Sequence, residues 1–341
     1  MDLVIPDKLK KGDYVGFISP SAGLAPFAMH RIDKAKSMLE ELGFKVKFAK
    51  NALKNIGYVS GTIDERTDDI HEMFEDSEVK MIMATTGGNH SNRLLKYINY
   101  DLIKNNPKIF IGYSDNTVLH FAFQSKANLA TFYGPCAMTQ FGEYPRILDY
   151  TLDYFKKELI EKEVKNGYDV TLSETWTDEV LDWFQKKDLE RPRELFPNTG
   201  YLWLQGGFAR GELWGGAIPS LNHLAGTEFW VDPKDKIFFV DIPEGNDIHK
   251  GFSISNVDSY FADLYNLGVF GKIAGLIVGR PYKYSEGEHS ELQSLVLKYM
   301  GKNKCPILYN ANIGHVDPIT TLRYGSVVEL ISEANSFNVL G

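Results

Sequence analysis

The N-terminal half of the chain repeats one pattern, in which a short apolar run is followed by a segment with helical spacing. The apolar runs are YVGFISP (14–20), FKVKFA (44–49), VKMIMATT (79–86) and KIFIGYS (108–114), and ATFYG (130–134) ends the series. Apolar residues three or four positions apart predict a helix after the first run, and SNRLLKYI (91–98) predicts another after the third. The capping-box sequence Thr62-Ile63-Asp64-Glu65 predicts a helix start after the second run. This alternation predicts an α/β fold with a parallel sheet covered by helices on both faces.

Residues 165–200 break this rhythm with dense charge, two prolines and two tryptophans. Because Trp176 and Trp183 argue against disorder, we expect a connection that lies over the surface and could act as a lid. Further apolar runs and helix-like segments after it predict a second α/β domain of less regular order. We therefore predict an N-terminal domain at 1–164, the connection at 165–200 and a C-terminal domain at 201–341.

The composition limits where the protein works and what it binds. Of the 341 residues, 43% are hydrophobic and 24% charged, which is typical of a soluble globular protein. No apolar run approaches the roughly 20 residues of a membrane span, and the N-terminus lacks the apolar core of a secretory signal, so we predict a cytoplasmic protein. The net charge of −8, without a basic block, disfavours nucleic acid or a membrane surface and favours a small molecule as partner. Cys136 and Cys305 are too few for a disulfide framework or a thiolate metal site.

Three turns of the N-terminal half fall where ligands of parallel sheets gather, at the carboxyl ends of strands. They are SPSAG (19–23), TTGGNHSN (85–92) and GYSDN (112–116). The glycine-rich turn matches neither spacing used by nucleotide-binding loops, so it predicts no nucleotide cofactor. Gly87 and Gly88 fit an oxyanion hole, and they fit equally well a tight turn that needs glycine for its backbone angles.

Ser114 lies at a predicted junction between a strand and a helix. The nucleophile of hydrolases with the G-x-S-x-G motif occupies such a turn, although GYSDN lacks the second glycine of that motif. A serine at a helix start is more often a cap. A catalytic serine also needs a base and an acid that orients the base.

The second half of the chain contains candidates for both roles. His315 in NANIGHVDP lies in a loop constrained by glycine and proline, which could aim an imidazole. Asp241 ends the apolar segment FFVD, where a carboxylate is costly unless it is paired, and Glu244 follows three residues later. The order Ser114, Asp241, His315 is chemically permissible, because triads are defined by geometry and occur in several chain orders.

Five segments together resemble the LD-carboxypeptidase family of serine peptidases. They are, in chain order, TTGGNHSNRLLKYINYDLI, NPKIFIGYSDNTVLH, TFYGP, GELWGG and NIGHVDP. The resemblance spans nearly the whole chain, and its glycine turn and SETWTDEVLDW segment are more similar to the microcin C self-immunity (MccF-like) branch than to the murein branch. It implies a flavodoxin-like or Rossmann-like parallel-sheet N-terminal domain with a smaller α/β C-terminal domain, commonly as a homodimer.

The resemblance also implies acyl transfer at an amide carbonyl, without a metal or an organic cofactor. It makes Ser114 the nucleophile and His315 the base, and it assigns the oxyanion hole to the N–H groups of Gly88 and Asp115. It places the nucleophile in the first domain and the acid and base in the second, so the site is expected in the cleft between them. The substrate would be a small peptide or a peptidyl- or aminoacyl-nucleotide.

The chain departs from the family at two positions. The family normally has Glu as third triad member, where this chain has the shorter Asp241, so either Asp241 or Glu244 completes the triad. Relatives commonly show GGNL where this chain has GGAI, so Ala217 lacks a polar substrate contact. Asn89 is expected to contact the substrate, while Trp176 would either stack on an aromatic part of it or fix the connection to the body of the protein.

Two alternatives stay open at this point. The substrate is either a murein peptide ending in D-Ala or a peptidyl- or aminoacyl-nucleotide. A function of another class, a non-catalytic two-domain protein that closes on a small ligand, predicts that Ser114 and His315 stay beyond hydrogen-bond reach.

Overall fold

A computed structural model describes residues 3–162 and 167–340. The chain forms two compact units. Unit 1 comprises Met1–Lys162, Leu181–Glu194 and Thr321–Arg323, and unit 2 comprises Glu163–Val180, Leu195–Thr320 and Tyr324–Gly341. The predicted boundary between residues 164 and 165 lies outside the described residues. Within residues 3–162 and 167–340, no helix combines the length and the apolar composition of a membrane-spanning segment.

The strands and helices are numbered along the chain. The strands are β1 (Tyr14–Ile18), β2 (Lys45–Phe48), β3 (Val79–Ala84), β4 (Ile109–Gly112), β5 (Phe132–Tyr133), β6 (Tyr168–Asp169), β7 (Thr175–Trp176), β8 (Phe196–Pro197), β9 (Leu202–Gln205), β10 (Phe208–Ala217), β11 (Ile237–Asp241), β12 (Gly275–Gly279), β13 (Ile307–Ala311), β14 (Leu322–Arg323), β15 (Val327–Ile331) and β16 (Ser336–Val339). The α-helices are α1 (Met29–Glu41), α2 (Ile63–Glu75), α3 (Tyr100–Asn105), α4 (Thr117–Ala127), α5 (Asp149–Leu159), α6 (Ile218–Leu224), α7 (Ile254–Asn266), α8 (Val269–Lys272) and α9 (Glu286–Met300). Shorter helical turns cover Ala25–Phe27, Ser91–Leu94, Ser114–Asn116, Ala137–Phe141 and Lys187–Leu189.

Unit 1 is built on a six-stranded sheet with the order β2-β1-β3-β4-β5-β14. The first five strands are parallel and follow the flavodoxin order, while β14 pairs antiparallel with β5. Alternate strand residues such as Phe17 and Met83 pack with α1 and α5 in one core, while Phe110 on the other face contacts Phe123 of α4. The prediction of a parallel sheet with helices on both faces is therefore confirmed.

The prediction of a helix at residues 91–98 is wrong. Only Ser91–Leu94 form a short 3₁₀ turn, and the α-helix begins after it at Tyr100. The first turn is held by contacts to other parts of the unit, because the Ser91 N–H donates to a buried carboxylate. The side chain of Asn99 then accepts a hydrogen bond from the Leu102 N–H and caps α3.

Unit 2 contains an eight-stranded sheet with the order β6-β16-β15-β10-β11-β12-β13-β9. Strands β10 to β13 are parallel neighbours, and antiparallel strands flank them on both sides. The mixed pairing explains why the sequence of this half shows a less regular order. Because β11, β12 and β13 are adjacent and parallel, the loops that follow them leave the sheet at the same edge.

The predicted connection divides between the two units. Leu181–Glu194 belong to unit 1, while the segments on either side of it belong to unit 2. In unit 2, β7 and β8 form a two-stranded antiparallel sheet, and Thr177 pairs with Asp317. Within unit 2, two segments of the connection thus pair with each other, and one of them also pairs with Asp317.

Candidate active site

The three turns predicted at the sheet edge of unit 1 meet at the carboxylate of Asp115. Its Oδ2 accepts hydrogen bonds from Ser21 Oγ at 2.6 Å, from the His90 N–H at 2.9 Å and from the Ser91 N–H at 2.8 Å. Asp115 is buried, with 1% of its surface exposed. A charged acceptor with three donors is a strong local restraint, so this residue fixes the turns after β1, β3 and β4 relative to each other.

Ser114 has a left-handed backbone conformation, with φ of 65°. Its N–H donates to Tyr133 Oη at 3.2 Å, and its carbonyl accepts from Thr117 Oγ1 at 2.7 Å. In the described chain, α4 has Asn116 at its N-cap position and no side-chain capping hydrogen bond there. Ser114 occupies the N-cap position of neither α4 nor the short helix Ser114–Asn116, whose N-cap is Tyr113, and strained non-glycine residues cluster at functional sites. The turn resembles a nucleophile elbow in which the serine itself carries the strain.

Close approaches explain the two glycines of the turn after β3. A β-carbon at Gly87 would lie 2.7 Å from Ser114 Cβ and 2.8 Å from its Oγ. Gly88 has φ of +145°, and a β-carbon there would overlap Ser21 Oγ and lie 2.8 Å from the Ala22 backbone nitrogen. Glycine is thus required at both positions on steric grounds, and Gly87 brings the turn against the serine.

In unit 2, His315 and Asp241 form a buried pair. Nδ1 of His315 lies 2.8 Å from Asp241 Oδ2, and the His315 N–H donates to Oδ1 of the same carboxylate at 3.3 Å. Asp241 is fully buried at the end of β11, and the histidine side chain is 6% exposed. Because a carboxylate only accepts hydrogen bonds, Nδ1 carries a proton in this pair.

Glu244 occupies the other side of the same imidazole. Its Oε2 lies 3.7 Å from His315 Nε2, and 37% of its side chain is exposed. Burial opposes protonation of His315, but the charges of Asp241, Glu244 and Asp317 outweigh it and raise the pKa of the imidazole to about 9. The geometry therefore separates the two acids: Asp241 orients the ring through Nδ1, and Glu244 favours its protonated form.

The predicted substrate-binding residues lie in different surroundings. Asn89 is exposed beside Gly88 in unit 1. Ala217 is buried at the end of β10 in unit 2. In the same unit, Trp176 has the Arg280 guanidinium carbon 4.6 Å from its ring centroid and the Phe196 ring at 5.4 Å. These contacts favour the alternative in which Trp176 fixes the connection.

Sequence reasoning missed two residues that support Ser114. The hydroxyl of Tyr133 holds the strained serine by its N–H, and Ser21 joins Asp115 to the His90 N–H. The small residues of the SPSAG turn were a signal for Ser21, but no local pattern marks Tyr133. Burial raises the pKa of Cys136 to about 12, which makes this thiol a poor nucleophile. Among the described residues, no group of three or more His, Cys, Asp or Glu could hold a metal ion.

The chain matches two family models that together cover most of it. Residues 15–134 match the LD-carboxypeptidase N-terminal domain, and residues 210–330 match the LD-carboxypeptidase C-terminal domain. The microcin C7 self-immunity protein MccF of Escherichia coli is 33% identical over 97% of this chain and 93% of its own. The probable murein peptide carboxypeptidase of Bacillus subtilis is 33% identical over 94% of this chain and 89% of its own.

Solved structures agree with these relatives. MccF in complex with aspartyl sulfamoyl adenosine has a TM-score of 0.90 and 30% identity, covering 99% of this chain and 98% of that one. The MccF-like protein from Bacillus anthracis has a TM-score of 0.89 and 35% identity, covering 99% of both chains. The matching domains, relatives and structures lead to one conclusion: the chain belongs to the LD-carboxypeptidase family and is a hydrolase of the carboxypeptidase type.

Proposed function

We propose that Ser114, His315 and Asp241 form the catalytic triad with which this hydrolase cleaves an amide bond. The observation that carries the proposal is the 2.8 Å contact between His315 Nδ1 and the buried Asp241 carboxylate. This contact leaves Nε2 as the nitrogen that can remove a proton from a serine hydroxyl. The left-handed conformation of Ser114 supports its role as the nucleophile.

The chemistry proceeds as acyl transfer. Ser114 Oγ attacks the amide carbonyl while His315 Nε2 accepts the hydroxyl proton, and the carbonyl oxygen becomes negatively charged. The N–H groups of Gly88 and Asp115 stabilise that charge. In the short helix Ser114–Asn116, the Asp115 N–H is among those with no acceptor inside the helix, which suits this role.

Two further steps complete the reaction, namely breakdown of the intermediate and hydrolysis of the resulting ester. The carbon–nitrogen bond breaks as His315 gives its proton to the leaving amine, and the acyl group stays on Ser114 as an ester. Water attacks this ester, and His315 again accepts a proton, which it returns to Ser114 Oγ as the carboxylic acid leaves. The proposed steps use these side chains, the two backbone N–H groups and water.

We propose a peptidyl- or aminoacyl-nucleotide as the substrate. The similarity to MccF supports this class, because solved MccF structures contain aspartyl sulfamoyl adenosine or adenosine monophosphate. In this proposal Asn89 contacts the substrate near the oxyanion hole. Ala217 offers only a methyl group where relatives commonly have an amide, so the pocket at this position accepts an apolar part of the substrate.

A murein peptide ending in D-Ala is the second candidate substrate. It is favoured by the 33% identity to the probable murein peptide carboxypeptidase of Bacillus subtilis, which equals the identity to MccF. Sequence identity therefore does not distinguish the two candidate substrates. An experiment that identifies the reaction products is needed to distinguish them.

The test uses both substrates and a matched pair of serine variants. Wild-type protein is incubated with aspartyl sulfamoyl adenosine or with a murein tetrapeptide, and the products are identified by mass spectrometry. Ser114→Ala is expected to lower turnover by roughly 10⁴-fold or more, since triad members act as a unit. Ser125→Ala, on α4 and outside the proposed site, is expected to keep full turnover. Full turnover by Ser114→Ala would refute the triad, and release of D-Ala alone would select the murein substrate.

We include two further predictions in the proposal: a homodimer, which the resemblance implies, and a cytoplasmic location, which the sequence pattern predicts. Sedimentation velocity of the purified protein tests the dimer, and fractionation of the native cell tests the location. A single monomeric species at micromolar concentration, or recovery of the protein outside the cytoplasmic fraction, would contradict the corresponding part.

A further inference from the structure

A cavity of about 450 Å³ lies in unit 1, and Ser114 is not among the described residues that line it. It is lined by the connection from β2 to α2, by the start of α2 and by the segment after β3. These segments follow strands on either side of β1, where the strand order of the sheet reverses. Ligands of open α/β sheets bind at such places, outside the carboxyl ends of the strands.

Arg66 lines this cavity and has an incomplete set of partners. Its side chain is 1% exposed. Nε donates to the Gly61 carbonyl at 3.1 Å, and Nη1 donates to the carbonyls of Pro20 at 2.8 Å and His90 at 3.1 Å. Nη2 is buried and has no hydrogen-bond partner among the residues that the structure describes. A buried donor without an acceptor is costly, and an anionic ligand would supply the acceptor.

A second arginine adds to the positive charge. Arg93 is exposed and lines the same cavity, and neither arginine has a carboxylate within 4 Å in the described part of the chain. Burial lowers the pKa of Arg66, and the charge of Arg93 lowers it further, while the charges of Asp115 and Tyr58 act in the opposite direction. The two guanidinium groups therefore repel each other, and an anion between them would relieve this repulsion.

The start of α2 contributes further donors. The capping box satisfies the N–H groups of Thr62 and Glu65. The N–H groups of Ile63 and Asp64 have no acceptor within the helix, and both residues line the cavity. The Asp64 side chain is the one carboxylate among the described lining residues, so the balance of charge is positive.

Two tyrosines give the cavity an aromatic rim. Tyr58 is 67% exposed and Tyr97 57% exposed, and both line the cavity. The Tyr58 ring also contacts the imidazole of His90, with the ring centroids 4.7 Å apart. Exposed rings beside a positively charged pocket suit a flat ring with an anionic substituent, because the ring can stack while the anion binds the arginines.

We infer that this cavity is a binding site for a small molecule that carries a phosphate or carboxylate group on an aromatic or heteroaromatic ring. The site goes beyond the proposed hydrolysis, since binding requires neither Ser114 nor His315. The Arg66 contact to the His90 carbonyl connects the site to the turn that carries Gly88.

The test measures ligand binding by titration calorimetry in the Ser114→Ala protein. The result then does not depend on whether the hydrolase proposal is correct. Phenyl phosphate and benzoate are the probes, and inorganic phosphate and phenol are tested as the separate halves of phenyl phosphate. Arg93→Gln is expected to weaken binding of both probes by roughly 10-fold or more, as for the loss of a charge-assisted hydrogen bond. Lys96→Gln removes the same charge three residues away, outside the lining, and is expected to change the affinity less than about 2-fold.

Two further comparisons locate the ligand. Asp64→Asn is expected to tighten binding by roughly 3-fold, while Asp68→Asn on the same helix is expected to have little effect. Tyr97→Leu is expected to weaken phenyl phosphate but not inorganic phosphate. No saturable binding of either probe up to about 10 mM would overturn the inference, and so would equal weakening by Arg93→Gln and Lys96→Gln.

Discussion

Gly314 lies so close to Asp241 that a β-carbon at position 314 would overlap the carboxylate. Its φ of +97° also belongs to the left-handed region that favours glycine. This contact allows the next residue, His315, to present both its N–H and its ring to one buried acid. The geometry of the proposed base therefore depends on the absence of a side chain at the neighbouring position.

Replacing Gly314 should disrupt this arrangement. Gly314→Ala is expected to lower kcat by roughly 100-fold or more, because the methyl group displaces Asp241 from His315 Nδ1. Gly226→Ala is the control, since Gly226 has φ of +73° and no atom within 4 Å of its built β-carbon. The control carries the backbone strain of about 1–2 kcal/mol without the overlap. Equal activity of the two variants, measured with equal folded fractions, would contradict the account.

The activity should depend on pH through His315. The base acts only when its imidazole is unprotonated, and its pKa is raised to about 9, so kcat/KM of the wild type is expected to rise from pH 7 through about 9. Glu244→Gln removes one charge that raises this pKa, so the midpoint is expected to move to lower pH. Glu333→Gln, an exposed change elsewhere in unit 2, should leave the midpoint in place. A midpoint that is the same in all three proteins would count against this role of Glu244.

Stability should follow pH through the same group. A histidine whose folded pKa lies above its unfolded value stabilises the fold fully below the unfolded pKa of 6.5, and that contribution is lost as pH rises through about 9. At 1.36 kcal/mol per pKa unit, the free energy of unfolding is expected to fall by up to about 3 kcal/mol from this source. Urea unfolding of wild type and His315→Gln between pH 6 and 9.5 measures the difference. The prediction fails if the difference in unfolding free energy does not change over this range.

The carboxylate of Asp115 should be essential for the order of unit 1. Asp115→Asn leaves three donors facing a neutral amide, so the free energy of unfolding is expected to drop by about 2–4 kcal/mol and kcat/KM to fall sharply. Asp101→Asn, an exposed change in the first turn of α3, is the matched control. Calorimetric unfolding of both variants checks the prediction, which requires Asp115→Asn to be clearly the less stable.

Local sequence signals predicted the regular parts of the fold well. The buried strands β1, β3 and β4 are continuous apolar runs, and the capping box at Thr62 marks the start of α2 as predicted. The segment after β3 was mispredicted because its helical pattern yields to hydrogen bonds with Asp115, which lies 24 residues later in the chain. No local pattern contains that information.

The candidate site also has a part that the sequence indicates and a part that depends on contacts between distant residues. Ser114 and His315 can be proposed from the sequence because unusual residues follow apolar strands, and the resemblance to a family links them. The choice between Asp241 and Glu244 was open, since both acids lie near the end of one strand. Only the direction of their side chains separates them, with Asp241 at Nδ1 and Glu244 near Nε2. Tyr133 escaped notice because its contact with Ser114 comes from the neighbouring strand.

The central claim is that Ser114 and His315 act as one catalytic unit. The most direct test compares kcat for amide hydrolysis in Ser114→Ala, His315→Ala and the double variant. The account predicts that the double variant is no slower than the slower single variant, because either change alone removes the same reaction path. Losses that multiply in the double variant would show that the two residues act independently and would contradict the account.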